Sequence, residues 1–500
     1  MPHSWCEECD LTIRTARRAA EQVGDVEVKV KPWFNHLFDA LRRGGWHAPV
    51  LTIDGKIFSQ GIAGRGRTTA GADGWGARMN RRNWLAETVL FAAALAVACG
   101  GDDDTAGVSS AATAAPATTV VAAVVTASPT PTTGEIDHSV FDRPFTEREE
   151  LIFNAIGGRY SETNWAIRSI NLDDLIPGGP GKDGIPALNE PQFISHEEAA
   201  RMIEPQSPVI ALEVNGEVRA YPIDILIRHE IVNDVIGGVP VAVTFCPLCN
   251  TSTTFDRRVD GEERPFGVSG LVRVNDLVMF DRTDESFWQQ ITGEAIVGDD
   301  TGKRLTMLAS QIVSWAEFDL AHPDAVVLSR STGYRYDYGR NPYSGYDRVG
   351  SSPMFPLDED FDGKERVLTV EIDGDAGAFP FASLSTEVVM ETDVAGQPVV
   401  AFWQSGAVSA LDESFIIGSR NIGAAGAFSP FLDGERLTFE SRDGAIVDTK
   451  TGTVWDVLGK ARTGGLAGAA LDPVISGNHF WFAWATFMPE TKIIIGNTGG

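Results

Sequence analysis

The chain has 500 residues, of which 43% are hydrophobic and 22% charged, so it can form more than one globular domain. Its net charge of −28 is uneven, because residues 1–98 carry +3 and the remaining residues carry −31. So acidic a body would repel phosphate backbones, which argues against nucleic-acid binding. The five cysteines form two CxxC pairs and one single cysteine, too few for a large disulfide framework.

Residues 1–78 begin with a CxxC pair, Cys6 and Cys9, which leads into a predicted amphipathic helix. A strand, a second helix and a hairpin led by Pro49 are predicted to follow. This order resembles the thioredoxin/glutaredoxin fold, a small α/β fold, which implies that Cys6 and Cys9 are catalytic and that Cys6 is the nucleophile. Only five residues precede Cys6, so the first strand of that fold is missing. We interpret the segment as truncated or fused; the alternative is a basic leader without a function.

A secretion signal is predicted at residues 79–99. Two arginines follow Met79, and an apolar run and small residues lead to Cys99. This layout resembles a bacterial lipoprotein signal, which implies lipidation of Cys99 and an extracytoplasmic protein anchored to the membrane. Met79 would be the true start of the main protein, and residues 1–78 would stay in the cytosol if translated. A transmembrane helix is the alternative, but the run is short for a span and contains a glutamate.

Residues 100–135 contain no aromatic side chain and are rich in Ala, Thr, Ser and Pro, which predicts a disordered tether. After residue 135, β-prone segments alternate with Gly, Pro and Asp turns, so we expect an α+β fold that is mainly β. Four segments recur in the same order at an offset of roughly 160–170 residues, which predicts tandem copies at 136–350 and 351–500. The matched segments are 209–222 with 367–380, 237–245 with 395–402, 284–308 with 450–474, and 314–329 with 480–495.

The two copies differ at the second CxxC pair. Cys246 and Cys249 follow Phe245 in the first copy, whereas the matched Phe402 is followed by a segment without cysteine. The second copy is expected to fold without these thiols. We therefore interpret Cys246 and Cys249 as functional rather than structural additions.

The body resembles the bacterial domain-of-unknown-function family numbered 3179. The resemblance covers residues 150–350, and the duplicated half continues to residue 500. This family has no settled activity, so the resemblance implies none for this chain. The segments that carry it are 178–193, 220–234, 243–257, 280–298 and 341–346.

Three interpretations of the Cys246/Cys249 pair remain open. The first and preferred one is a redox dithiol, for which a thioredoxin-like protein would be the partner. The residues after Cys249 are β-prone, so no helix dipole is expected to activate the thiols, and Arg228 or His229 would have to do so.

The second interpretation is a Zn²⁺ or Cu(I) site, in which Cys246 and Cys249 bind the metal with His229. Glu230 or Asp234 could supply a further ligand. The third is a surface binding scaffold in which the two cysteines form a structural disulfide.

Further candidates for a pocket around the thiols are polar residues of the family segments. A cluster of five of the seven tyrosines, at 334–346, joins the two copies and could form one wall. Signatures of a Ser-His-Asp triad or an HExxH zinc site are not found in the sequence. The candidate pocket residues are Lys182, Asp183, Asp281, Arg282, Gln289 and Tyr343.

Overall fold

The computed structural model describes residues 140–141, 143–348 and 362–496, together with the backbone of three short strands nearer the N-terminus. The fold is mainly β, with several sheets, which confirms the predicted class. Among the described residues, no helix is both long enough and apolar enough to cross a membrane.

The strands nearer the N-terminus are β1 (Val50–Ile53), β2 (Lys56–Gln60) and β3 (Val124–Thr126). β1 and β2 pair antiparallel, as expected for the hairpin after Pro49. The remaining residues of segment 1–78, including Cys6 and Cys9, lie outside the described residues, and so does Cys99. The thioredoxin-like and lipoprotein assignments therefore stay predictions.

The first half of the body is described as far as residue 348. Its helices are α1 (Glu147–Ile156), α2 (His196–Ala199), α3 (Ile223–His229) and α4 (Trp315–Ala321), with 3₁₀ helices at Gly157–Arg159 and Leu172–Asp174. Its strands are β4 (Ile176–Pro177), β5 (Phe193–Ile194), β6 (Pro208–Val214), β7 (Glu217–Pro222), β8 (Ile231–Ile236), β9 (Val239–Cys246), β10 (Thr251–Asp256), β11 (Arg258–Val259), β12 (Glu262–Glu263), β13 (Phe266–Arg273), β14 (Asp276–Asp281), β15 (Phe287–Gln289), β16 (Ala295–Val297), β17 (Thr306–Leu308), β18 (Ser310–Ser314) and β19 (Val326–Leu328).

The second half is described from residue 362. Its helices are α5 (Phe381–Glu387) and α6 (Trp481–Phe487), with a 3₁₀ helix at Ile416–Gly418. Its strands are β20 (Arg366–Ile372), β21 (Asp375–Pro380), β22 (Val389–Val394), β23 (Gln397–Gln404), β24 (Ala424–Phe428), β25 (Phe431–Leu432), β26 (Glu435–Arg436), β27 (Phe439–Arg442), β28 (Ala445–Asp448), β29 (Val454–Trp455), β30 (Ala461–Thr463), β31 (Ser476–Phe480) and β32 (Lys492–Ile494).

The two halves run through similar elements in the same order. A hairpin, a seven-residue helix and a second hairpin form β6–β7–α3–β8–β9 in the first half and β20–β21–α5–β22–β23 in the second. The strand pairing β18–β6–β7–β19 likewise has a counterpart in β31–β20–β21–β32, with the last pair parallel in both.

The hairpins of both halves close through two-residue turns in which both residues have positive φ. Glycine, Asn and Asp dominate these turns because they tolerate the left-handed region, and the resulting turn matches the strand twist. The turns are 215–216, 237–238, 260–261 and 274–275 in the first half, and 373–374, 395–396, 433–434 and 443–444 in the second.

A nine-stranded sheet crosses the junction of the two halves. β31 of the second half pairs with β20 and also with β10 of the first half, and β9 and β8 continue the sheet. β9 is buried along nearly its whole length, as expected for an apolar central strand with both faces covered. The turn between β9 and β10, which carries the CxxC pair, therefore lies at this junction.

One strand lies within the stretch that the sequence predicts to be a disordered tether. β3 pairs antiparallel with β32 at one edge of the nine-stranded sheet. Its sequence, VVT, is β-branched, and an edge strand offers unpaired backbone groups to such a segment. The rest of residues 100–135 lies outside the described residues.

Candidate functional site

The CxxC pair forms a tight turn between two antiparallel strands. Cys246 is the last residue of β9 and pairs with Thr251, the first residue of β10. The chain reverses over residues 247–250, and Asn250 adopts a φ of 52°. A strand rather than a helix follows Cys249, as the β-prone residues after it predicted. No helix N-terminus is therefore available to stabilise a thiolate.

Both thiols are buried beside a carboxyl group. Cys246 is 2% exposed and Cys249 is fully buried. The Cys249 thiol donates to Oδ1 of Asp276 at 3.0 Å, and the ligand atoms of Cys246, Cys249 and Asp276 lie within 4.8 Å of one another. No disulfide joins Cys246 to Cys249, and one would close over this short separation.

Asp276 is held in place from its other side. Its Oδ2 accepts hydrogen bonds from Nε2 of Gln289 at 2.6 Å and from the backbone N–H of Ile291 at 2.9 Å. Burial raises the pKa of Asp276 to about 6, although these hydrogen bonds favour the charged form. At neutral pH the site therefore contains a carboxylate against the Cys249 thiol.

Burial also raises the pKa of both thiols. The negative charges of Asp276 and Glu230 add to this effect at Cys246. Cys249 is raised well above the ordinary value for a thiol. Both sulfurs are consequently thiols rather than thiolates in the resting protein.

A cavity of about 260 Å³ opens beside Cys246. Its wall is mainly apolar, and the Gly/Pro loop of residues 178–185 and strands β13 and β14 supply most of that surface. The polar and aromatic members are few. They are Arg228, Glu230, Cys246, Tyr336 and Tyr343.

Glu230 is the acidic residue in this wall. It follows α3 at a φ of 59°, and its backbone carbonyl accepts from the N–H of Phe245 at 2.9 Å, one residue before Cys246. In the described part of the chain, no hydrogen bond or ion pair joins its carboxyl group to another side chain. Burial, together with the charge of Asp276, raises the pKa of Glu230 to about 8.

Residues far from the CxxC turn along the chain hold it in place, one at the end of the first half and others in the second half. The backbone N–H of Phe480 donates to the carbonyl of Cys249 at 2.9 Å, and the Tyr346 hydroxyl donates to the carbonyl of Leu248 at 2.9 Å. Lys364 in turn donates to the carbonyl of Tyr346 at 2.6 Å. The turn is therefore clamped by residues more than 90 positions away.

His229 lies in a different environment from the thiols. Its ring nitrogens contact the carbonyl of Pro186 and the hydroxyl of Tyr338, each at 2.7 Å, and burial lowers its pKa. The described group that could hold a metal around the two cysteines contains Asp276 as its third member instead. Asp234 is also engaged elsewhere, by the guanidinium of Arg219 at 2.5 Å and by a tyrosine hydroxyl.

The predicted pocket residues separate into two groups. Tyr343 lines the cavity, and Gln289 reaches the site through Asp276. Lys182 forms an ion pair with Glu285 instead. These contacts divide the predicted set between the site and its surroundings.

The other members stabilise loops. Asp183 accepts from Arg282 at 2.9 Å on the surface. Asp281 is fully buried, where it accepts from the indole N–H of Trp288 at 3.0 Å and from two backbone N–H groups of the following turn. Asp281, Asp284 and Asp300 form a second acidic group, but Arg264 contacts all three.

Asp276 is the site residue that sequence reasoning missed. It lies 27 positions after Cys249 in the segment VNDLVMF, where an Asp beside a turn is ordinary. No spacing rule connects it to the CxxC pair. Its unusual feature is that an acidic residue begins a strand that is buried throughout, which only burial data reveal.

No curated protein and no solved structure is significantly similar to this chain. The sequence does match one family, described as a protein of unknown function (DUF3179), over residues 182–491. The match covers more than half of the chain and includes the CxxC turn, Glu230 and Asp276. The chain therefore belongs to the DUF3179 family, as the sequence motifs predicted.

Proposed function

We propose that Cys246 and Cys249 form a redox-active dithiol that cycles between two thiols and an intramolecular disulfide. One observation carries this proposal: Cys246 faces the cavity, and Cys249 lies behind it within 4.8 Å, against a carboxylate. Cys246 is the sulfur that a substrate can reach, and Cys249 is placed to close the disulfide.

The carboxylate of Asp276 can accept a proton when the disulfide closes. When an oxidised Cys246 is attacked by the Cys249 sulfur, the Cys249 proton passes to Asp276 along the 3.0 Å hydrogen bond. The sulfur–sulfur bond forms, the group attached to Cys246 leaves with its electron pair, and the two sulfurs together lose two electrons. Asp276 afterwards releases its proton.

The test uses the full chain with C6S, C9S and C99S, so that Cys246 and Cys249 are the only thiols. The protein is equilibrated in buffers of reduced and oxidised dithiothreitol, and remaining thiols are counted by mass-tagged alkylation. We expect both thiols to disappear together in a two-electron transition. C246S and C249S, which keep the side-chain size, should each leave one thiol without that transition. Thiols that stay reduced in every buffer would refute the proposal.

A second candidate is a metal site, because Cys246, Cys249 and Asp276 bring two sulfurs and one oxygen within 4.8 Å. Zn²⁺ or Cu(I) would suit the sulfurs, and metal binding would deprotonate the buried thiols. Elemental analysis of the purified chain decides between the candidates. One zinc or copper per chain that is lost in C246S would replace the redox proposal.

We also infer a wider arrangement for this site. The repeated element order and the repeated positive-φ turns support two tandem copies, of which the first carries the dithiol. The signal-like segment supports an extracytoplasmic protein anchored through Cys99. Mass spectrometry of the mature N-terminus tests the anchor, which requires a chain that begins at lipidated Cys99.

A further inference from the structure

The burial of the dithiol restricts what can react with it. Cys246 is 2% exposed and Cys249 is fully buried, so the disulfide of a folded protein cannot approach either sulfur in the direction that exchange requires. Cys246 can instead be reached from the cavity of about 260 Å³. If the proposed redox function holds, the substrate that oxidises Cys246 is a small molecule with a mainly apolar body.

The cavity also contains a carboxyl group that the fold leaves without a partner. Glu230 is 7% exposed and lines the same wall as Cys246. A buried carboxyl group without a hydrogen-bond partner is unfavourable, and in the described part of the chain its side chain has none. Such a group is available to a ligand in the cavity.

The fold does not require a carboxyl group at this position. In the second half of the body, Val388 occupies the equivalent place after α5, with a φ of 64° against 59° for Glu230. Its backbone carbonyl accepts from the N–H of Trp403, as that of Glu230 accepts from the N–H of Phe245. The structure therefore pairs Phe245 with Trp403, one residue after the Phe402 that the sequence match predicts. The backbone conformation is therefore shared by the two halves, whereas the carboxyl group belongs only to the half with the thiols.

The chemistry of the leaving group indicates what such a carboxyl group is for. A thiolate leaving group is a weak base, so the attack of a thiol on a small disulfide needs little acid catalysis. The alkoxide released from an O–O bond is strongly basic and must be protonated as it leaves. A proton donor beside the attacking sulfur thus favours a peroxide over a disulfide as the oxidant.

We propose that Cys246 reduces a small organic hydroperoxide and that Glu230 relays the proton. The Cys246 sulfur attacks the terminal peroxide oxygen, the O–O bond breaks, and the sulfur becomes a sulfenic acid. One oxygen of the Glu230 carboxyl group accepts the thiol proton while the other gives its proton to the departing alkoxide, which leaves as the alcohol. The thiol loses two electrons and the peroxide gains them.

Cys249 completes the cycle that this step begins. Its sulfur attacks the sulfenic acid, so that the disulfide forms and the sulfenic hydroxyl leaves as water with the Cys249 proton that Asp276 had accepted. An external dithiol then reduces the disulfide by exchange and is itself oxidised. The cavity limits the size of this reductant as it limits the size of the oxidant, so the reductant is a small dithiol.

The experiment compares two oxidants on the full chain with C6S, C9S and C99S. Reduced protein is mixed with tert-butyl hydroperoxide or with 2-hydroxyethyl disulfide, and thiol loss is followed by quenched alkylation. We expect one tert-butanol per disulfide formed. E230Q should slow the hydroperoxide reaction roughly 100-fold, the scale of general acid–base catalysis, and leave the reaction with the small disulfide almost unchanged.

E263Q is the matched control, because Glu263 is an exposed partner of Arg257 outside the cavity, and it should react like the parent chain. E230V repeats the test with the residue that the second half carries at this place. Equal slowing of both oxidants by E230Q, or a hydroperoxide rate no higher than that of free cysteine, would overturn the inference. If the small disulfide still forms the Cys246–Cys249 bond, the redox function survives. If neither oxidant does, both proposals fail.

Discussion

At the scale of single residues, the site depends on two buried carboxyl groups in opposite situations. Asp276 is hydrogen bonded on both oxygens, so it stays charged near neutral pH. Glu230 lacks such partners within the described residues and takes the proton instead. These two environments give the carboxyl groups different roles: Asp276 accepts the proton of Cys249, and Glu230 donates a proton beside Cys246.

Removing the charge of Asp276 should slow disulfide closure. D276N keeps the size of the side chain and can still accept from Gln289, but its amide cannot take the Cys249 proton. We expect closure to slow by roughly 100-fold while the first oxidation of Cys246 is little changed. Rapid-quench mass spectrometry, which separates sulfenic acid from disulfide, provides the measurement. D281N, another fully buried position, is the control and should close normally.

The pKa of Glu230 makes protein stability depend on pH. The folded pKa of about 8 lies above the ordinary value near 4.5, so the folded state binds the proton more tightly than the unfolded state. The contribution of Glu230 to stability should therefore decline as pH rises from about 4.5 to 8 and stay constant above that range. Urea unfolding at several pH values measures the free energy of unfolding of the parent chain and of E230Q. In the difference between the two, the contributions from the titration of Asp276 and Cys246 largely cancel. A difference independent of pH would contradict this prediction.

At the scale of elements, the decisive feature is the length of one connection. Four residues, 247–250, join β9 to β10, whereas residues 405–423 join β23 to β24 in the second half. The short connection folds Cys249 back under Cys246, which brings the two sulfurs together. The long one instead packs on residues 334–348, a segment that we call the strap, where the backbone N–H of Gly345 donates to the carbonyl of Asp412 at 2.5 Å.

The conformation of Asn250 makes this short turn testable. Asn250 is 4% exposed and has a φ of 52°, which a β-branched residue rarely adopts. N250V should lower the free energy of unfolding by about 1–2 kcal/mol and disturb the approach of the sulfurs, whereas N250G should be tolerated. Urea unfolding and the dithiothreitol titration measure the two effects. Equal stability of N250V and N250G would show that the backbone conformation is not the constraint.

At the scale of the whole molecule, the two halves form one support for the site. The strap residue Asp347 is buried between Arg366 of the second half, at 2.6 Å, and Arg420, at 3.1 Å. The neighbouring Tyr346 contacts the CxxC turn directly. A charge cluster at the junction is thereby connected through one residue to the turn that carries the thiols.

Neutralising Asp347 should weaken the junction. D347N leaves the nearly buried guanidinium of Arg366 without a carboxylate, and we expect a loss of about 3 kcal/mol in the free energy of unfolding. The alkylation rate of Cys246 in the folded protein should rise, because the strap no longer positions Tyr346. D337N changes an exposed ion pair with Arg340 and serves as the control. Unchanged stability and alkylation in D347N would contradict the coupling.

Much of the local structure could be predicted from the sequence. The turns rich in Gly, Asn and Asp and the β-prone runs between them predict a mainly β body, because both depend on the conformational preferences of neighbouring residues. The same reasoning placed the CxxC pair before a strand. The partners of the pair could not be predicted in this way: the sequence assigns Asp183, Asp281 and Arg282 to the pocket, whereas their contacts lie elsewhere.

The sequence by itself determined the family, the strand-rich body and the position of the reactive pair, since motifs, periodicity and turn residues are local properties of the chain. Only the tertiary structure decided that Asp276 lies behind Cys249, that Glu230 and Tyr343 share the cavity with Cys246, and that His229 faces other partners. Those relations depend on which distant strands pair and how their side chains pack, and no spacing along the chain specifies such a choice.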